Sequence, residues 1–162
     1  MTARALAAAL LSASLLALPA AASPLGFDLT LKLSDKLKTE LAAKNETIIL
    51  RASFYGDPGE AGAAEVDEMG VVQLGEEEIE VQPVDGAVAI TGATVDPAKL
   101  ALIAGKPSVN VNVFSGRKSS QDNLISCDFI DGPVDELLAA PTEIACGLIS
   151  EDPVTVMKPA KG

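Results

Sequence analysis

Residues 109–130 read VNVNVFSGRKSSQDNLISCDFI, and the reading of this stretch decides the fold. Val109, Val111 and Val113 fall on one face, with Asn110, Asn112 and Phe114 on the other, which is the period of two of a half-buried strand. The polar segment SGRKSSQDN then breaks the alternation. Ser115-Gly116 supplies a turn, and Ser119, Ser120, Asp122 and Asn123 can satisfy loop backbone groups through local side-chain bonds. Ile125, Cys127 and Phe129 resume an apolar face on the far side. The stretch reads as a β-hairpin with a polar tip, and the tip carries Arg117-Lys118 in a chain whose net charge is −11.

The same alternation recurs outward from it. In FDLTLKL, Phe27, Leu29, Leu31 and Leu33 share a face. In TIILRASFY, Ile48, Leu50, Ala52 and Phe54 point inward, while Arg51, Ser53 and Tyr55 point outward. VVQL and EIEVQ read as short strands broken by Gly75, AVAIT as another, and TEIACGLI as a last one with Ile144, Cys146 and Leu148 together. Between strands, Ser34 is a candidate N-cap for a short helix carrying Leu37 and Leu41. Asp96, Pro97 and Gly105 punctuate a second helix, and PVDELLAAP makes a brief third. GDPGEAGAAEVDEMG reads as a long mobile loop. Seven or eight short strands with turn signals every ten or so residues predict a mainly β domain. The expected form is an antiparallel, Greek-key-like β-sandwich with one to three short helical connections.

The N-terminus, MTARALAAALLSASLLALPAAAS, has the parts of a secretory leader. Arg4 is its basic end, Ala5 to Leu18 its apolar run, and Ala20-Ala21-Ala22 its small-residue cleavage site. Residues 1–22 are therefore expected to be removed, leaving a single domain over 23–162 whose last residues, 152–162, form a flexible tail. The apolar run is shorter than the ~20 residues of a membrane span, so no stable membrane insertion is expected. The Ala-rich leader is of the bacterial kind, which places the mature chain in the periplasm or outside the cell. Asn45-Glu46-Thr47 matches a glycosylation sequon, a match without consequence behind such a leader.

Cleavage removes Arg4 and leaves 11 basic and 23 acidic residues. That balance excludes nucleic acid as a partner, because its recognition needs a basic face. In an oxidising compartment Cys127 and Cys146 are expected to pair as a structural disulfide. The chain has no histidine and only five aromatic residues, Phe27, Phe54, Tyr55, Phe114 and Phe129. Without histidine, His-based nucleophilic pairs and the usual zinc sites are out of reach. Carboxylate-pair chemistry normally sits in aromatic-lined clefts, which so few rings do not suggest. The expectation is a non-catalytic binding or adaptor module that needs no cofactor.

Its candidate contact surface is the loop carrying Arg117, Lys118, Ser119, Asp122 and Asn123, held out on a hairpin toward another exported protein or a second copy of this chain. The alternative is a small periplasmic carrier of a ligand or of calcium. The candidate oxygen ligands for calcium are Asp128, Asp131, Asp135 and Glu136, although they lack EF-hand spacing. Glu76-Glu77-Glu78 forms another acidic cluster, but alternation sends Glu77 to the face opposite its neighbours. Along the chain the charges segregate: Gly56 to Ala98 holds 11 acids and no base, and Ser119 to Met157 holds eight acids and no base.

Overall fold

A computed structural model describes residues 23–158 of the 162. The leader reading lies outside the described residues. Within them the chain forms nine strands and one α-helix. The strands are β1 (Phe27–Leu33), β2 (Ile48–Gly56), β3 (Val72–Val81), β4 (Gly86–Ile90), β5 (Ser108–Ser115), β6 (Ile125–Cys127), β7 (Phe129–Pro133), β8 (Thr142–Leu148) and β9 (Met157–Lys158), and the helix is α1 (Asp35–Ala43). One sheet has the order β4-β1-β8-β6 and the other β3-β2-β5-β7-β9.

Period-two patterning places its residues as expected. Leu29, Leu31, Leu50, Phe54, Val109 and Val111 are all essentially inaccessible and belong to one hydrophobic cluster fed by both sheets. Each such side chain contributes about 1.5–3 kcal/mol by leaving water. Helix α1 follows β1 directly. The Ser34 hydroxyl accepts the Leu37 N–H at 3.1 Å, and Leu37 and Leu41 are fully buried.

Several sequence expectations need correction. The sheets are mixed, because β1 pairs with β8 in parallel, and so does β7 with β9. A parallel pair needs a long connection, so neighbouring turn signals carry no trace of it. Second, the hairpin expected around Arg117-Lys118 does not form. Both edges of β5 are taken, by β2 and β7, and the chain leaves it to enter the other sheet as β6. Ser115–Asn123 is therefore a crossover between sheets.

Third, Phe129 does not share a face with Ile125 and Cys127. The strand breaks at Asp128, the chain returns to the second sheet as β7, and Ile130 takes the buried position. Fourth, the stretch after Asp96 is one 3-10 turn, Lys99–Leu102, rather than an α-helix. Asp96 Oδ1 does accept the Ala98 N–H at 2.9 Å, as a capping side chain does. β3 is continuous through Gly75 instead of broken there. The pairing skips Leu74 between Phe54 and Tyr55, a β-bulge. A Cβ on Gly75 would run into the carbonyl oxygen of Thr94, so the residue marks a close backbone approach.

The C-terminal segment, expected to be a loose tail, is tied down as far as Lys158. Asp128 is almost fully buried, and its carboxylate accepts the N–H of Val156 at 2.9 Å and of Ala145 at 3.1 Å. It also pairs with Lys158 at 2.8 Å. Burial pushes the Asp128 pKa up, but Lys158 and the two N–H groups outweigh it and hold the carboxyl below its ordinary value. Asp128→Ala should cost about 2–3 kcal/mol, because it leaves two N–H groups without their acceptor and takes the carboxylate from the Lys158 ammonium, which keeps the Glu143 carbonyl at 2.7 Å. Urea denaturation measures the loss, and faster amide exchange at Val156 should accompany it. Unchanged exchange there would show that β9 is held by something else.

Candidate functional site

The Ser115–Asn123 crossover is built on a carboxylate that the sequence reading passed over. Helix α1 ends with Asn45 in the left-handed region (φ 51°). The Asn45 N–H reaches the Ala42 carbonyl at 3.1 Å, and the Glu46 N–H reaches Leu41 at 2.9 Å. This is the Schellman arrangement, with asparagine in the place glycine usually takes. It turns Glu46 inward, where it is 1% exposed. The Asn45-Glu46-Thr47 sequon thus has a conformational role.

Glu46 then organises the crossover. Its carboxylate accepts N–H groups from Thr47 at 3.0 Å, Lys118 at 3.1 Å and Ser119 at 2.8 Å, and the Ser119 hydroxyl at 2.7 Å. Burial alone would raise its pKa, but the Ser119 hydroxyl and the three N–H groups stabilise the anion more and hold it at about 2. Gly116 makes the approach possible: its N–H donates to Thr47 O at 2.8 Å, and a Cβ there would collide with the Thr47 hydroxyl. At the far end, Asn123 Oδ1 accepts the Ser115 N–H at 2.9 Å while its amide donates to Ile125 O at 2.8 Å. Of the loop residues read from the sequence, Ser119 and Asn123 hold the loop in place. Asp122 is exposed, and its N–H donates to the Ser120 hydroxyl at 3.1 Å.

Arg117 and Lys118 part ways. Lys118 forms an ion pair with Glu80, which also accepts the Thr47 hydroxyl at 2.6 Å. Arg117 is exposed, has φ 57°, and among the described residues has no ion-pair partner. A non-glycine residue in that region costs roughly 1–2 kcal/mol, a cost set against the bonds on either side of it. Its side chain borders a depression of about 660 Å³ with Ile49, Arg51, Glu78, Asn112, Phe114 and Asn123.

That depression lies on the outer face of the second sheet. The cross-strand neighbours Ile49 and Phe114, then Arg51 and Asn112, then Ser53 and Asn110 form successive rungs. Arg51 lies 5.4 Å from the centre of the Phe114 ring and bonds Glu78 at 2.8 Å and 3.1 Å. Beyond Asn112 a second depression of about 630 Å³ is lined by Tyr55, Met69, Gln73, Glu76, Asn110 and Asp131. The Tyr55 hydroxyl donates to Asp131 at 2.5 Å, and burial together with that carboxylate pushes its pKa up to about 12. Met69 is 84% exposed on a turn that Asp67 pins by accepting the Met69 N–H at 2.8 Å and the Gln73 amide at 2.7 Å.

The calcium candidates are not brought together. Asp128 points into the Lys158 cluster, Asp131 bonds Tyr55, Asp135 pairs with Lys106, and Glu136 is exposed. Among the described residues no three His, Cys, Asp or Glu side chains come close enough to hold a metal ion. Glu77 does face away from Glu76 and Glu78: it bonds Thr91 and Gly92 at the end of β4, joining the two sheets. Segregation of charge along the chain is partly undone in space, since Lys38, Arg51, Lys106, Lys118 and Lys158 each meet an acid from one of the two acidic runs.

The class defined so far is a mainly β domain of two mixed sheets, bridged between Cys127 and Cys146. No protein-family model, curated protein or solved structure matches the chain, so its function is argued from its own residues. A disulfide is compatible with an exported protein, and among the described residues no helix is long and apolar enough to cross a membrane.

Proposed function

We propose that this is an exported, non-catalytic binding module. Its two sheets serve as a sandwich-like scaffold, and it docks another exported protein through the Ser115–Asn123 crossover. The observation that carries this reading is the state of Arg117: an exposed guanidinium without an ion-pair partner among the described residues, held in a costly backbone conformation next to the N–H groups that a buried carboxylate binds. Strain kept in place by surrounding bonds points toward function. A rigid loop also loses less entropy on binding than a free one. The target is a carboxylate, which arginine grips with a two-pronged fork. Lys118, already paired, contributes little to it.

Arg117→Gly tests the reading without strain, because glycine accepts φ 57° at no steric cost. A photo-crosslinking residue at Ser120 of the exported protein should give a defined adduct in the native compartment. Arg117→Gly should abolish that adduct, Lys118→Ala should leave it, and the stability of each should move by no more than about 1 kcal/mol. An adduct of the same size and the same salt dependence in Arg117→Gly would refute the assignment.

A further inference from the structure

The two depressions on the outer face of the second sheet share Asn112. They form one shallow path along β2 and β5. One end is cationic, at Arg117. The other carries Asp131 beside the exposed Met69, with Glu76 next to it accepting the Ser53 hydroxyl at 3.1 Å and lying 3.6 Å from Arg51. Its floor is apolar under Arg117, where Ile49 faces Phe114. It is amide-rich in the middle, where Asn112 donates to Asn110 at 2.6 Å. From Ile49 to Tyr55 the path follows six residue-to-residue steps of strand, roughly 20 Å at the usual rise per residue.

We propose that this path receives an extended segment of a partner protein in one direction, with an acidic residue of the segment at Arg117 and a basic residue at Asp131. The proposal rests on the reading of Arg117 as the contact residue and adds the partner's chemistry and orientation. Opposite charge at the two ends favours one direction, because the reversed segment would set like charges together at both. The spacing follows from the length: in an extended chain, residues about six apart span the same ~20 Å and point to the same side. Met69, an unbranched apolar side chain on a pinned turn, suits contact with an aliphatic residue next to the basic one.

The test is selection of phage-displayed linear dodecapeptides on the full, oxidised, exported chain. Enriched sequences should carry an acidic and a basic residue about six positions apart, in one fixed order. Against Arg117→Glu the acidic preference should vanish or reverse. Against Asp131→Asn, which keeps an acceptor for the Tyr55 hydroxyl, the basic preference should weaken. Tyr55→Ala with Met69→Ala should lower the affinity of selected peptides at least tenfold.

No enrichment, or enriched sequences without the charge pair, would overturn the proposal. Binding that needs Arg117 but ignores Tyr55, Met69 and Asp131 would overturn the path while leaving the loop reading intact. Binding that ignores Arg117 and needs the other three would overturn the loop reading and, with it, the orientation. Self-association of the chain that Arg117→Glu abolishes would make the occupant a second copy and overturn the assignment to a partner segment.

Discussion

Glu46→Ala is expected to destabilise the protein by roughly 3–4 kcal/mol and to detach the crossover from the end of α1. The substitution removes one carboxylate and strands three N–H groups, those of Thr47, Lys118 and Ser119, together with the Ser119 hydroxyl. Hydrogen bonds to a charged acceptor contribute about 1.5–3 kcal/mol each, and a buried donor left unpaired costs about 1–3 kcal/mol. The sum is discounted because water can reach Lys118, which is exposed. Glu46→Gln keeps the shape and one acceptor oxygen but turns the other position into a donor facing N–H groups, so about 2 kcal/mol is expected there. Urea denaturation gives the energies, and amide exchange at Lys118 and Ser119 gives the location. A loss below 1 kcal/mol for Glu46→Ala would mean that the crossover is held from its Asn123 end.

The same carboxylate sets part of the response to acid. Its pKa falls from an ordinary 4.5 to about 2 on folding. Between those values the unfolded chain binds the proton and the folded chain does not, so stability rises with pH across that window. The contribution is complete above about pH 4.5 and fades as pH falls toward 2. Asp85, Asp128 and Glu151 are also held below their ordinary values and act in the same direction. Glu46→Gln should therefore lie closest to the wild type in stability near pH 2 and farthest from it at neutral pH.

These acids show where the sequence is legible and where it is not. The faces of β1, β2 and β5 can be read directly, because a period of two survives whatever the strands pair with. Pairing itself cannot be read that way. The β1–β8 contact joins residues more than a hundred positions apart, and no local signal marks it. Turn residues at Ser115-Gly116 announce that the chain reverses but not which sheet it enters, which is why the crossover looks like a hairpin.

Phe129 and Ile130 are adjacent apolar residues, so alternation alone leaves either one as the inward residue. The buried Asp128 decides between them, and its partners Ala145 and Val156 lie far off in sequence. Glu46 was hidden for the same reason. Its role depends on a helix end that turns it inward and on N–H groups 72 and 73 residues away. An acid standing between a helix end and an apolar strand was the only local hint. Glu46, Asp85 and Asp128 each hold backbone distant in sequence, a role that composition alone reads as a solvated surface.

Removing the bridge with Cys127→Ser and Cys146→Ser is expected to cost about 3 kcal/mol without abolishing the fold at neutral pH. The cysteines are directly opposite each other on β6 and β8, with Cα atoms 4.0 Å apart and a separation of 19 in sequence. Closing a loop of that size removes about 3 kcal/mol worth of freedom from the unfolded chain. The folded state has a second hold on the same place. Immediately after Cys127, the Asp128 N–H donates to Ala145 O at 2.9 Å, and the Asp128 carboxylate takes the Ala145 N–H in return. β6 is only three residues long and among the described residues pairs with β8 alone, so bridge and carboxylate share the work of keeping it there. Their removal should couple: the double cysteine variant combined with Asp128→Ala should lose at least 0.5 kcal/mol more than the separate losses added together. Simple additivity in urea denaturation would mean that β6 is held by the burial of Ile125 and not by the pair of anchors beside it.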